Sequence, residues 1–158
     1  MHHVMGTVAA IFVGILLLSG VLFAMNVGFS SSKLSDVQSS IVMMQMQIQS
    51  MFSGSSSYNG LDNNLVMANN IAPTSMLKGG RISNPWGGDV TIASTDSGAS
   101  FSISLTNVPQ SECTKLALFQ PDAWLSLTVN NGVIAGGDVA AATNACNSTQ
   151  NTVTFTSR

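Results

Sequence analysis

Residues 4–29 read VMGTVAAIFVGILLLSGVLFAMNVGF, and the first charged side chain of the sequence is Lys33. As an α-helix this segment would be about 39 Å long at ~1.5 Å per residue, whereas the hydrocarbon core of a bilayer is ~30 Å thick. A secretory signal would have a basic start and a shorter apolar region. We therefore expect residues 1–30 to form an apolar helix that anchors the chain in a membrane, after removal of a basic leader that set its orientation.

Small residues in this segment form two rows with a spacing of four: Gly6, Ala10 and Gly14, then Gly20, Ala24 and Gly28. This spacing places each row on one face of a helix, where two helix backbones can approach closely. Glycine inside a lone helix is unfavourable by ~1 kcal/mol relative to alanine. The rows therefore predict close helix packing or local loosening of the helix, although glycine and alanine are also common in membrane spans.

The next segment, residues 31–53, changes from uniformly apolar to amphipathic. Its apolar residues recur at steps of three and four and form one stripe: Val37, Ile41, Met44, Ile48 and Met51. Serine and glutamine fall mostly off the stripe. This pattern predicts that the helix continues and buries the stripe against a globular domain. The methionines between positions 43 and 51 are interpreted as flexible core residues rather than metal ligands.

Residues 54–158 contain the turn and alternation signals of a small α+β domain. Alternating apolar and polar residues predict half-buried strands at residues 90–92, 101–105, 124–129 and 152–156. Asn131-Gly132 predicts a hairpin turn into Val133-Ile134. Short helices are predicted at residues 61–71 and 109–119. The predicted fold is thus a long N-terminal α-helix packed on an antiparallel β-sheet with short helices.

The composition excludes several classes of function. Only 8% of the residues are Asp, Glu, Lys or Arg, the net charge is −2 and no basic run occurs, which argues against nucleic acid as a partner. His2 and His3, the only histidines, stand ahead of the apolar segment, so no Ser-His-Asp or Cys-His arrangement is expected in the globular domain. The sequence has no metal-ligand or phosphate-loop spacing. We therefore expect no enzyme activity, no metal and no cofactor.

Cys113 and Cys146 are the only cysteines. Two distant cysteines in a cytosolic protein are usually reduced and buried, whereas an even number in an exported domain suggests a bridge. The polar, lightly charged composition of residues 54–158 favours export and therefore a disulfide. In the chain-entropy model such a bridge stabilises the domain by ~3–4 kcal/mol.

Together these features resemble the mature form of type IV pilins, and in particular the type IVb group with its long apolar N-termini. The resemblance rests on Met1 as first mature residue, the apolar half-helix, its amphipathic continuation through Met51 and the late cysteine pair. Around Asn84-Pro85-Trp86-Gly87-Gly88 and Val108-Pro109-Gln110 the chain is similar to PilS-type subunits. Those subunits build thin pili of conjugative plasmids and of some enteric pathogens.

The resemblance implies two locations for the subunit. A prepilin peptidase would cut a basic leader and methylate Met1, and subunits would wait in the inner membrane with their heads in the periplasm. The assembly machinery would then extract them into an extracellular helical homopolymer, in some pili with a tip adhesin. Helices packed through the glycine rows would form the filament core, with loosening expected at residues 14–20. The disulfide-bounded region, residues 113–146, would form much of the filament surface.

One position departs from the family pattern. Most type IV pilins have Glu at the fifth mature position, where it pairs with a neighbour's N-terminal amine, but here the fifth residue is Met5 and the first carboxylate is Asp36. Packing of the row Gly6, Ala10 and Gly14 is the alternative means of setting the register between subunits.

The function predicted from these features is that of a major pilin in a type IVb pilus used for conjugative contact between cells. The alternatives are an adhesion or aggregation pilus, a minor pilin or pseudopilin, and a monomeric membrane-tethered binding domain. Pseudopilins commonly use a calcium site in place of the disulfide, so the cysteine pair argues against that branch.

Overall fold

The structure, a computed structural model, describes residues 32–158. The predicted apolar helix, its two glycine rows and Met1 lie outside the described residues. From Asp36 to Arg158 the chain forms one compact unit. No helix among the described residues is long and apolar enough to cross a membrane.

Residues 32–51 form a helix, α1, with one side buried in the core. Four residues of the predicted stripe are fully buried: Val37, Ile41, Met44 and Ile48. The stripe also predicts burial of Met51, and this is wrong because that side chain is 43% exposed. The helix ends at this residue, and Phe52 continues the packing instead. Its ring centroid lies 5.3 Å from that of Tyr58, which in turn lies 4.8 Å from that of Phe101.

The head, residues 54–158, is built on a five-stranded antiparallel sheet. The strands of this sheet are β3 (Val90–Thr95), β4 (Ser100–Val108), β5 (Ser126–Val129), β6 (Gly132–Ile134) and β7 (Asn151–Ser157). Their order across the sheet is β3-β4-β7-β5-β6. A separate hairpin consists of β1 (Leu77–Lys78) and β2 (Arg81–Ile82). The helices of the head are α2 (Asn63–Ala68), α3 (Gln110–Ala117) and α4 (Val139–Ala145).

The central strands alternate between a buried face and a partly exposed face. The largest buried side chains of β4 and β7 are Phe101, Ile103, Leu105, Val153 and Phe155, and the intervening residues are Ser and Thr with partial exposure. Gln45 of α1 bonds to Ser157 on the buried face, which places α1 on that side of the sheet. A long helix on one face of an antiparallel sheet with short helices is the predicted α+β fold, and the prediction is confirmed.

The turn between β5 and β6 differs from the prediction by one residue. Asn130 and Asn131 have φ angles of 50° and 72°, and Gly132 already begins β6. Two central residues with positive φ match the right-handed twist of a hairpin, and asparagine tolerates that conformation better than most residues. The hairpin itself is therefore present, with an Asn-Asn turn rather than an Asn-Gly turn.

Asn84-Pro85-Trp86-Gly87-Gly88 forms the turn that leads into β3. The Asn84 side chain is 2% exposed. Its Oδ1 accepts hydrogen bonds from the N–H groups of Trp86 and Gly88, both at 3.0 Å, and its Nδ2 donates to the carbonyl oxygen of Thr106 at 2.7 Å. A Cβ added to Gly88 would overlap the carbonyl oxygen of Thr106. The turn and β4 thus meet at a point where only glycine fits.

Two elements were not predicted because their sequences are too short or too weakly patterned. The β1–β2 hairpin has strands of two residues each, joined by Gly79 and Gly80 with φ angles of 57° and 76°. α4 has seven residues and one buried side chain, so it has almost no apolar periodicity. Its start is fixed by Asp138, whose Oδ1 accepts from the N–H of Ala141 at 3.0 Å.

Candidate functional site

The seam between α1 and the last strand contains two glutamines. Gln45 is 8% exposed, and its Nε2 donates to the carbonyl oxygen of Ala123 at 3.0 Å and to Ser157 Oγ at 2.9 Å. Gln49 Nε2 donates to Ser157 Oγ at 3.3 Å and to the carbonyl oxygen of Arg158 at 2.7 Å. The helix is therefore bonded to the end of β7 as well as packed on it. Helical spacing places the glutamines mostly off the buried stripe, so it did not predict this role.

Three methionines of α1 lie on the surface. Met43, Met46 and Met51 are 47%, 62% and 43% exposed, while Met44 is fully buried. The interpretation of all four as core residues is therefore wrong for three of them. Flexible, polarisable side chains of this kind suit surfaces that pack against several partner geometries.

The predicted disulfide is present and links two short helices. Cys113 lies in α3 and Cys146 is the C-cap residue of α4, with a Cα–Cα distance of 5.8 Å. Both residues are fully buried. The bond closes a segment that contains the β5–β6 hairpin and all of α4, so the two ends of this part of the head are joined to each other.

An asparagine pair fixes the chain just after the disulfide. Asn151 is 1% exposed, and its Nδ2 donates to the carbonyl oxygens of Val108 at 3.1 Å and Ser148 at 2.7 Å. Its Oδ1 accepts from Asn130 Nδ2 at 2.8 Å, and Asn130 Oδ1 accepts from the N–H of Thr152 at 2.9 Å. The two side chains join the β5–β6 turn to the start of β7. No sequence motif marks these two asparagines, so the network could not be predicted from the sequence.

The surface of the disulfide-bounded region combines apolar and charged side chains. Leu125, Val133 and Val139 are 48%, 74% and 60% exposed. The exposed charged residues of the region are Lys115, Asp122 and Asp138. Apolar side chains that are exposed singly are common on protein surfaces, so these exposures alone do not define a contact site.

Ionisable side chains are dispersed over the described part of the head. Within residues 32–158 no three His, Cys, Asp or Glu side chains form a group that could hold a metal ion. Glu112 is 5% exposed, and its Oε2 accepts a hydrogen bond of 2.6 Å from Ser111 Oγ. A shallow groove of about 300 Å³ with a mixed polar and apolar lining lies between α2, the β1–β2 hairpin and the outer side of β3.

Residues 31–158 match the family model described as PilS N terminal. The chain belongs to the PilS family. This pilin also resembles a solved structure, that of TcpA, a type IV pilin from Vibrio cholerae El Tor biotype, with a TM-score of 0.59. The two chains are 14% identical, and the match covers 80% of this chain and 99% of TcpA, so the likeness is one of fold. A search of curated proteins found no match.

Family and fold together identify a type IVb pilin. The chain is a structural subunit that assembles with other copies into a pilus filament outside the cell. The predicted site residues of the filament core, Met1 and the two glycine rows, lie outside the described residues. The disulfide and the head, in contrast, lie within them.

Proposed function

We propose that this PilS-family subunit is the major pilin of a thin type IVb pilus that brings donor and recipient cells into contact during conjugation. The observation that carries the proposal is the family match over residues 31–158. The conjugative role extends the sequence resemblance to PilS-type subunits, which build thin pili of conjugative plasmids. The subunit acts as a building block and not as an enzyme.

The construction of the head supports a role as a repeated unit. A disulfide, the glutamine seam and the asparagine pair hold its parts together with bonds that involve little formal charge. The net charge of the chain is −2, so many copies can lie side by side without strong mutual repulsion. Low repulsion and a rigid head are what a major subunit needs in a filament of many copies.

The proposed life cycle includes partners other than the chain itself. A prepilin peptidase would process and methylate Met1, and the inner membrane would hold the subunit with its head in the periplasm. The pilus assembly machinery would then move it into the filament, where a tip adhesin is a further candidate partner. Nucleic acid is not a partner in this scheme.

The experiment is deletion of the gene in a donor strain, with complementation by the intact gene. Surface filaments of the parent and complemented strains are sheared, imaged and analysed by mass spectrometry for subunit abundance and for the mass of the N-terminus. The proposal predicts thin filaments composed mostly of this chain with a methylated Met1. It also predicts that deletion lowers the mating frequency and that complementation restores it.

Two other outcomes would replace the proposal. Filaments made mainly of another pilin, with this chain in trace amounts, would identify it as a minor pilin. Abundant filaments of this chain in the parent strain, together with a deletion strain that mates normally but no longer adheres to cells, would support the adhesion pilus instead.

A further inference from the structure

The large apolar side chains that α1 exposes are all methionines. Between residues 32 and 51 they are Met43, Met46 and Met51, which are 47%, 62% and 43% exposed. Met43 and Met46 are three residues apart, so their side chains are neighbours on the helix surface. We call these three residues the surface methionines. The aliphatic residues of the same helix are buried or half-buried: Leu34, Val37, Ile41, Val42 and Ile48.

The described residues also include methionines that solvent hardly reaches. Met44 is fully buried although it is the neighbour of Met43 in the sequence, and Met76 is 3% exposed. Met67 lies between the two extremes, because it is half-buried on α2. The chain therefore presents the same thioether group in exposed, half-buried and buried positions.

An exposed thioether reacts with hydroperoxides such as hydrogen peroxide. The sulfur lone pair attacks one peroxide oxygen, so an S–O bond forms while the O–O bond breaks. The hydroxide that leaves takes the proton from the transferred oxygen and becomes water. Sulfur is oxidised by two electrons and the peroxide is reduced. The product is a sulfoxide, which is polar where the thioether was apolar.

No thiol of the chain competes for the oxidant. Cys113 and Cys146 are the only cysteines of the sequence, and they form the buried disulfide. A free thiolate would otherwise be a principal target of peroxide. The pilus lies outside the cell, where no cytosolic thiol pool removes oxidants. Peroxide that reaches the described part of the chain therefore meets the exposed thioethers of α1.

We propose that Met43, Met46 and Met51 are oxidation sites at which hydroperoxides turn the exposed apolar surface of α1 polar while the head stays folded. Each added oxygen lies on a side chain that is largely outside the core, so it disturbs few packed atoms. The same oxygen on Met44 would be buried among apolar groups, which destabilises a fold. Oxidation of the surface methionines thus changes what α1 presents to other molecules and leaves the unit Asp36–Arg158 intact.

The test exposes the full chain in detergent to an excess of hydrogen peroxide, and catalase stops the reaction at intervals. Fragment-ion mass spectrometry then gives the oxidised fraction at each methionine. We expect the surface methionines to react at least about ten times faster than Met44 and Met76, with Met67 in between. The melting temperature should change by less than about 2 °C when the surface methionines are fully oxidised.

Two variants serve as controls. Met43→Leu/Met46→Leu/Met51→Leu keeps apolar side chains of similar volume but removes the three sulfurs, so over the same period only Met67 should gain oxygen within residues 32–158. Met44→Leu removes a sulfur that peroxide does not reach, so it should gain as much oxygen there as the unmodified chain.

Two results would overturn the proposal. One is an equal rate of oxidation at Met44 and Met46. The other is a melting temperature that falls in step with oxidation of the surface methionines, because the fold would then depend on them. Both readouts are made on the purified subunit, so they are independent of whether the pilus serves mating.

Discussion

Removal of the Cys113–Cys146 disulfide should lower the free energy of unfolding by about 3.7 kcal/mol. The bond joins residues with a sequence separation of 33. In the chain-entropy model a closed loop of that length removes about 12.5 cal/mol/K from the unfolded chain, which gives the figure above at room temperature. The compact unit Asp36–Arg158 has an expected unfolding entropy of ~2.1 cal/mol/K per residue, so the melting temperature should fall by about 14 °C.

The assay is thermal and urea unfolding of the full chain in detergent, followed by tryptophan fluorescence. The variant is Cys113→Ala/Cys146→Ala, because both residues are fully buried and serine would place an unpaired hydroxyl in the core. The single variant Cys113→Ala is the matched control. It lacks the bond but keeps one native sulfur, so it should lose nearly as much stability as the double variant if loop closure is the main contribution.

A small effect would refute this reasoning. If the double variant lost less than about 1 kcal/mol, the unfolded chain would already be constrained around residues 113–146 and the loop-entropy argument would not apply. The asparagine pair Asn130 and Asn151 would then be sufficient to hold the region. A single variant much more stable than the double variant would show that packing of sulfur, and not the cross-link, dominates.

Four further variants test the packing of α1 and of the turn before β3, each by urea unfolding. Gly88→Ala should lower the free energy of unfolding by about 3 kcal/mol or more, because the new Cβ overlaps the Thr106 carbonyl oxygen. A decrease of less than about 1 kcal/mol would mean that the turn can shift to make room for the methyl group. Met44→Ala should lower the free energy of unfolding by about 2–5 kcal/mol, because this side chain is fully buried. Met46→Ala should change it by less than about 0.5 kcal/mol, because Met46 is 62% exposed. Gln45→Met keeps the side-chain size but removes the donor to the Ala123 carbonyl oxygen and to Ser157 Oγ, so we expect the free energy of unfolding to fall by about 2 kcal/mol. Unchanged stability would mean that apolar packing alone holds α1 against the end of β7.

The features that could be predicted from the sequence are those fixed by local periodicity. Steps of three and four define one face of a helix, so the burial of Val37, Ile41 and Ile48 follows from spacing alone. Alternation predicts the strands in the same way. The disulfide could also be predicted, because the chain has two cysteines and a composition typical of exported domains. Met51 obeys the same helical period but is exposed, because its burial depends on where the helix ends relative to the sheet.

The features that could not be predicted depend on partners far away in sequence. Gln45 bonds to residues 78 and 112 positions later, and no local pattern encodes that meeting. Asn63 is one of several asparagines in its segment, and its hydrogen bonds to the backbone of Val90 and Ile92 depend on β3 being an outer strand of the sheet. The sheet order is a property of the whole fold. The sequence therefore predicts that a head is present, but not which long-range hydrogen bonds hold its elements together.

Neutral amide side chains join separate elements of the described head. Gln45, Asn63, Asn84 and Asn151 each make two or more hydrogen bonds, at least one of which goes to a separate element. The ion pair found in the described residues, Arg81 with Asp89, is mostly exposed and so contributes little. Hydrogen bonds between neutral amides involve no net charge, so salt has little to screen in these contacts.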